Sequence, residues 1–218
     1  MKKMFLGIIL LALAIAVPIP TRAEVSVNVN LGFPLPPPIV VPAPPDVIAM
    51  PDTNDVYVAP TVDVDLFFWN GWWWRPWEGR WYRSRYYDRG WVFFNRVPHF
   101  YFDVDPGWRT YYRDHNWNGH PWNYERIPHQ RLQQNWQSWH TNHYWEKQGN
   151  WGVRGYQPRP QQQRAELRNQ RQQQYQQRPE VQRHQQQMQE RQKQQQRGQG
   201  RVQHPQKKEH EERGEHGR

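Results

Sequence analysis

The segment DVDLFFWNGWWWRPWEGRWYRSRYYDRGWVFF, Asp63 to Phe94, constrains the fold more than any other stretch of the chain. Asn70-Gly71 stands between two aromatic runs, and a two-residue type I′ turn needs positive φ at both centres, which Asn and Gly tolerate. The register follows: Trp69 faces Trp72, Phe68 faces Trp73 and Phe67 faces Trp74. Each such aromatic pair adds about 0.5 to 1.5 kcal/mol beyond burial. Pro76-Trp77-Glu78-Gly79 and Asp88-Arg89-Gly90 supply further turns, with Arg80 to Tyr86 and Trp91 to Phe94 as the strands that follow. The segment therefore predicts an antiparallel β-meander.

Successive side chains on a strand point to opposite faces. Phe67, Trp69, Trp72 and Trp74 share one face, and Phe68 and Trp73 the other. Trp81 shares a face with Arg83 and Arg85. A small domain covers one sheet face readily, so some of these rings are expected at the surface, where exposed aromatic patches mark interaction sites. The alternative is that helices from residues 106 to 147 cover the second face. The candidate ligand-binding residues are Trp69, Trp72, Trp73, Trp74, Trp81, Arg83 and Arg85. Rings interleaved with arginines suit stacking on sugars and pairing with anionic glycans or lipid headgroups.

Charge and composition divide the rest. Residues 24–66 hold six acids and no Lys or Arg, and residues 67–156 hold all 14 tryptophans. Residues 157–218 are Gln-rich, with eleven Arg and three Lys against seven Glu. Only the middle has the apolar content for a core. The expected organisation is a signal peptide at 1–23, an N-terminal strand and Pro-rich linker at 24–60, a Trp/Tyr-rich α+β domain at 61–156, and a basic low-complexity tail at 157–218. Val25 to Leu31 alternates as a half-buried strand. The prolines that follow favour an extended polyproline II spacer.

Beyond the meander, Asp105-Pro106-Gly107 reads as a helix start leading into Trp108, Tyr111 and Tyr112. Residues 118–121 read as a loop. A second helix is expected from about Pro128 to Lys147, with Leu132, Trp136, Trp139 and His143 at helical spacing. In the tail, Ala165, Leu167, Tyr175, Val181 and Met188 form no apolar stripe. Helices over 161–178 and 180–196, broken at Pro179, are expected to stand isolated or disordered. Their positive charge favours polyanions.

At the N-terminus, Lys2 and Lys3 precede an apolar run from Met4 to Val17, then Pro18, Pro20 and Thr21-Arg22-Ala23. This has the form of a secretory signal cleaved after Ala23, so the protein is expected to be secreted or periplasmic. The chain has no cysteine, which removes lipoprotein anchoring, thiol catalysis and thiolate zinc sites.

Catalytic constellations are weak. The serines after the leader, at 26, 84 and 138, sit in no nucleophile elbow, and no phosphate-binding glycine loop occurs. Asp103 and Asp105, with Glu78 as a remote partner, are the nearest thing to a glycosidase pair, but Asp105 also serves as a cap. His140, His143 and Glu146 recur at helical spacing without an HExxH string, and His210 and His216 lie in the tail, so no metal site and no cofactor is expected.

The runs FFWNGWWWRPWEGRWYRSRYYDRGW and NWQSWHTNHYWEKQGNWGVRGYQ resemble a group of uncharacterised secreted bacterial proteins with aromatic-Gly-aromatic repeats of the YxWGxW sort. Trp69-Asn70-Gly71-Trp72 and Trp151-Gly152 carry the resemblance, over roughly residues 25–156, and no full YxWGxW string occurs. The resemblance implies an exported protein and assigns no residue a role. The expected function is non-catalytic: an envelope-associated structural or interaction protein, its aromatic sheet meeting a protein or membrane surface and its tail a polyanion. The alternative is a glycan- or peptidoglycan-binding module with Trp platforms. No sequence-specific nucleic-acid recognition is expected, and the oligomeric state is left open.

Overall fold

A computed structural model describes residues 34–202; the leader, the alternating segment at 25–31, His210 and His216 lie outside the described residues. Six strands form one antiparallel sheet in sequential order: β1 (Ile48–Ala49), β2 (Tyr57–Val58), β3 (Phe67–Trp69), β4 (Trp72–Trp77), β5 (Arg80–Ser84) and β6 (Val92–Phe94). With the helices described below, the fold is α+β, as expected. The β3–β4 register pairs Phe67 with Trp74, Phe68 with Trp73 and Trp69 with Trp72, around Asn70 at φ 49° and Gly71 at φ 75°. The next turn is tighter than expected. Pro76 and Trp77 remain in β4, opposite Trp81 and Arg80, and only Glu78 and Gly79 turn, both at positive φ. The strand expected to reach Tyr86 stops at Ser84, whose hydroxyl donates to the Arg89 carbonyl and accepts from the Tyr86 amide.

The N-terminal flank is more than a linker. β1 and β2 extend the sheet from the β3 edge, and Val47, Ile48, Met50, Val56 and Val58 are almost wholly buried. The reason lies in residues 46–59, where apolar residues crowd between prolines and a tight loop reverses the chain. Thr53 Oγ1 closes that loop, donating to the Met50 carbonyl at 2.7 Å and accepting from the Val56 amide at 3.3 Å. Upstream, the proline segment lies on the sheet, where Arg75 Nη1 donates to the Pro37 carbonyl at 2.7 Å and the Tyr82 hydroxyl to that of Pro34 at 2.9 Å.

Both faces of the sheet are covered. A 3₁₀ turn at His99–Phe102 lays Phe100 against Phe67, Trp69, Trp74 and Trp81, with ring centroids 5.2 to 6.2 Å apart. On the opposite face pack α2 (His129–Asn142) and α3 (Tyr144–Gly149). Trp139 meets Tyr57, Trp136 meets Phe68, and the His129 ring stacks on Trp73 at 5.7 Å. The single helix expected over 128–147 is thus two. His143 adopts φ 51°, which ends α2 and turns Trp145 back so that its Nε1 donates to the Tyr57 hydroxyl at 3.0 Å. This is the helical cover weighed above as the alternative to an exposed face.

α1 (Trp108–Arg113) begins later than Pro106, because Asp105 forms a local turn instead of a cap: its Oδ1 accepts from the Gly107 amide at 3.0 Å. The stretch expected as a loop near 118–121 forms a short hairpin, β7 (Asn116–Trp117) with β8 (His120–Pro121), turning at Asn118-Gly119. The tail supplies α4 (Gln161–Gln176) and α5 (Pro179–Val202), broken near Pro179 as expected. α4 and the start of α5 are not isolated: Tyr175 and Val181 are buried against Phe102. No helix among the described residues is long and apolar enough to cross a membrane.

Candidate functional site

The seven candidate residues fall into two groups. Trp73, Trp74 and Trp81 belong to the core, each at most 3% exposed, and do not form a surface platform. Alternation places them on both faces, and both faces are covered. Trp69 and Trp72 are half-buried, Arg83 is half-buried and Arg85 is exposed.

Trp72, Arg83 and Arg85 come together on the face that carries the 3₁₀ turn, at positions its cover leaves half-buried or exposed. β4 presents Trp72 and β5 presents Arg83, on the same face, because Trp74 is paired with Arg83 across the ladder. The Arg85 guanidinium lies 3.7 Å from the Trp72 ring centroid, and that of Arg83 lies 4.5 Å from it. Arg83 also sits 5.2 Å from the Phe94 ring. Arg85 Nη1 donates to the Gly71 carbonyl at 2.9 Å, tying it to the hairpin turn. Gly71 is required there: its φ is positive, and a Cβ would stand 2.8 Å from the Trp136 ring. Among the described residues neither Arg83 nor Arg85 has a carboxylate within ion-pair distance, and exposed Tyr86 and Val92 flank them. Stacking fixes both guanidinium groups over one ring.

The tail arginines stand in contrast. Arg159 Nη1 lies 2.6 Å from Asp52, Arg164 2.7 Å from Glu146, Arg168 2.7 Å from Asp103 and Arg171 2.8 Å from Asp105. Asp52 also accepts from the Tyr156 hydroxyl, whose pKa is pushed up to about 12 by burial and by that bond. The two acids nearest to a catalytic pair, Asp103 and Asp105, therefore each hold an arginine of α4. Glu78 pairs with Arg80 at the β4–β5 turn.

The residues weighed for a metal are also distributed otherwise. His140 Nδ1 lies 3.2 Å from Asp55, whose carboxyl is 7% exposed and whose pKa is raised to about 6, chiefly by burial, with His140 and His143 opposing. Glu146 is committed to Arg164. No cluster of three metal-ligating side chains with metal-binding geometry occurs among the described residues.

Sequence reasoning missed the arginine stripe on α4. Arg164, Arg168, Arg171 and Tyr175 recur at i, i+4, i+7 and i+11, one face of a helix, a signal hidden by a search for apolar residues alone. No protein-family model, no curated protein and no solved structure matches the chain, so the reading of its function rests on this geometry.

Proposed function

We propose that this chain is an exported, non-catalytic interaction protein of the bacterial envelope, and that it holds a polyanion through Arg83 and Arg85 stacked on Trp72. The observation that carries the reading is the contrast between two sets of arginines. Those of α4 are neutralised by acids of the same chain, whereas Arg83 and Arg85 have no acid partner among the described residues and stand beside exposed Tyr86 and Val92. A cation already held over a ring gives up less side-chain freedom when it binds. Sequence beyond residue 178 adds basic charge, and the leader-like N-terminus motivates export.

Stacking on neutral sugars has less support. Among the described residues no tryptophan is exposed as a flat platform, and the Trp72 ring is already engaged by two guanidinium groups. The test measures binding of the mature protein to polygalacturonate, to dextran and to phosphatidylglycerol vesicles at low and high salt. The expected result is polygalacturonate binding that weakens steeply with salt and falls roughly 10-fold in Arg83→Gln/Arg85→Gln, consistent with two lost ionic contacts of about 0.5 to 1 kcal/mol each. Equal, salt-resistant binding to dextran would replace this reading with a sugar-stacking module; vesicle binding alone would place the anion on a lipid surface.

A further inference from the structure

A second site lies between the tail and the domain. α4 does not lie flat on the 3₁₀ turn and α1; between them is a cavity of about 200 Å³. Its walls include the rings of Tyr101, Phe102, Trp108 and Tyr175, with Val104 and Pro106. Its size is below the ~300 Å³ at which drug-sized ligands begin to fit, so it accommodates a single ring.

Three guanidinium groups edge this cavity, and the charge balance decides what enters. Asp65 holds Arg109 at 3.0 Å, and Asp105 holds Arg171 at 2.8 Å. Arg178 has no carboxylate within ion-pair distance among the described residues. Its Nη1 lies 3.4 Å from the Tyr101 hydroxyl and its guanidinium 5.3 Å from the Tyr175 ring, which holds it at the cavity edge. The result is one uncompensated cation at the mouth of an aromatic chamber.

We propose that this cavity binds a small aromatic monocarboxylate, its ring packed among Tyr101, Phe102, Trp108 and Tyr175 and its carboxylate paired with Arg178. A planar carboxylate matches the guanidinium fork, and a planar apolar ring matches the walls. A sugar acid of similar size carries hydroxyls that the four rings, Val104 and Pro106 leave without partners, so although Asp65 and Gln174 also line the cavity it gains less there than a flat apolar ring. A dication or an amine meets the wrong charge. Because α4 contributes Tyr175 and the turn after it Arg178, while Phe102 and Trp108 belong to the domain, an occupant bridges the two and holds the tail in place. The inference is independent of polyanion binding at Trp72, and its test leaves that site intact.

The experiment is calorimetric titration and thermal unfolding of the full mature chain with benzoate, benzylamine and glucuronate as probes. Benzoate is expected to bind once per chain with a dissociation constant of about 1 mM or tighter and to raise the melting temperature as its concentration rises. Benzylamine is expected not to bind, and glucuronate to bind at least several-fold more weakly. Arg178→Gln, at an exposed position, is expected to weaken benzoate at least 10-fold without changing the melting temperature of the unliganded protein. Gln174→Trp, which places a ring at the cavity lining, is expected to block benzoate while the protein still folds. Absence of benzoate binding, equal binding of benzylamine, tighter binding of glucuronate, or benzoate affinity unchanged in both variants overturns the proposal.

Discussion

Arg75 is 2% exposed and has no carboxylate partner among the described residues, and a cation in that position is costly unless its donors are used. Burial pulls its pKa below the ordinary value. Nη1 donates to Pro37 and the guanidinium lies 5.5 Å from the Trp91 ring, which offset part of that cost, while Nε is buried without a hydrogen-bond partner. Arg75→Ala removes both contacts and leaves a cavity. It should cost about 2 to 4 kcal/mol in denaturant unfolding and should speed proteolysis of residues 34–46. Asp55 is the opposite case. Its folded pKa of about 6 exceeds the ordinary 3.8, so the folded protein binds more protons than the unfolded one between those values. Stability therefore falls as pH rises from about 4 to about 6, the cost being fully present above that window. Asp55→Asn should abolish that slope in thermal scans across the window, although His140, His143 and Glu146 still face the site; a retained slope would assign it to them. Neither role is visible in the sequence. An arginine alternating with tryptophans reads as solvated, and an aspartate beside Asn54 reads as a turn, because burial depends on what packs on top. The hairpin register was legible, since alternation and the Asn70-Gly71 turn are local properties.

At the level of elements, α4 is attached to the domain by an arginine stripe. Its ion pairs are only partly exposed, from 6% to 44%, so salt screens them incompletely. Apolar contact completes the attachment: Trp81 Nε1 donates to the Tyr175 hydroxyl at 3.0 Å, and burial pushes that hydroxyl's pKa up to about 12. The turn into α5 passes so near the β4–β5 hairpin that a Cβ on Gly79 would stand 2.5 Å from the Glu180 carbonyl oxygen, at a φ of +72°. Gly79→Ala should therefore cost about 2 kcal/mol from backbone strain, clash aside, and should expose the Arg183–His184 bond to trypsin. Unchanged trypsin cleavage in that variant would show that α5 does not depend on the hairpin. The helices and their break were readable from Gln/Arg content and Pro179. Their docking was not, because Tyr175 and Val181, the residues that are buried, stand six apart among scattered Ala165, Leu167 and Met188 where a docking helix normally shows a stripe. The excess of cations after 157 was present in the composition, but composition does not say which acid meets which arginine: Asp52 lies in the acidic flank, whereas Asp103, Asp105 and Glu146 lie in the tryptophan-rich middle.

For the molecule as a whole, the flanks complete a core that the tryptophan-rich middle leaves open. Strands β1 and β2 widen the sheet, and α4 covers Phe102 and Trp81. Removing residues 157–218 should uncover these rings, increase binding of a hydrophobic dye and lower the melting temperature by several degrees, since about 1 kcal/mol corresponds to 2–4 °C in a domain of this size. The same organisation sets where the proposed polyanion would bind: Arg164, Arg168 and Arg171 of α4 are paired with acids of the same chain, whereas Arg83 and Arg85 on the sheet are not. The most direct test is the salt dependence of polygalacturonate affinity in the chain without residues 1–23, compared between Arg83→Gln/Arg85→Gln and Arg168→Gln/Arg171→Gln, both confirmed folded by circular dichroism. The sheet pair is expected to lose affinity roughly 10-fold with a flatter salt dependence, while the tail pair leaves affinity nearly unchanged and lowers stability. Loss of affinity in the tail pair with none in the sheet pair would contradict the proposed polyanion site.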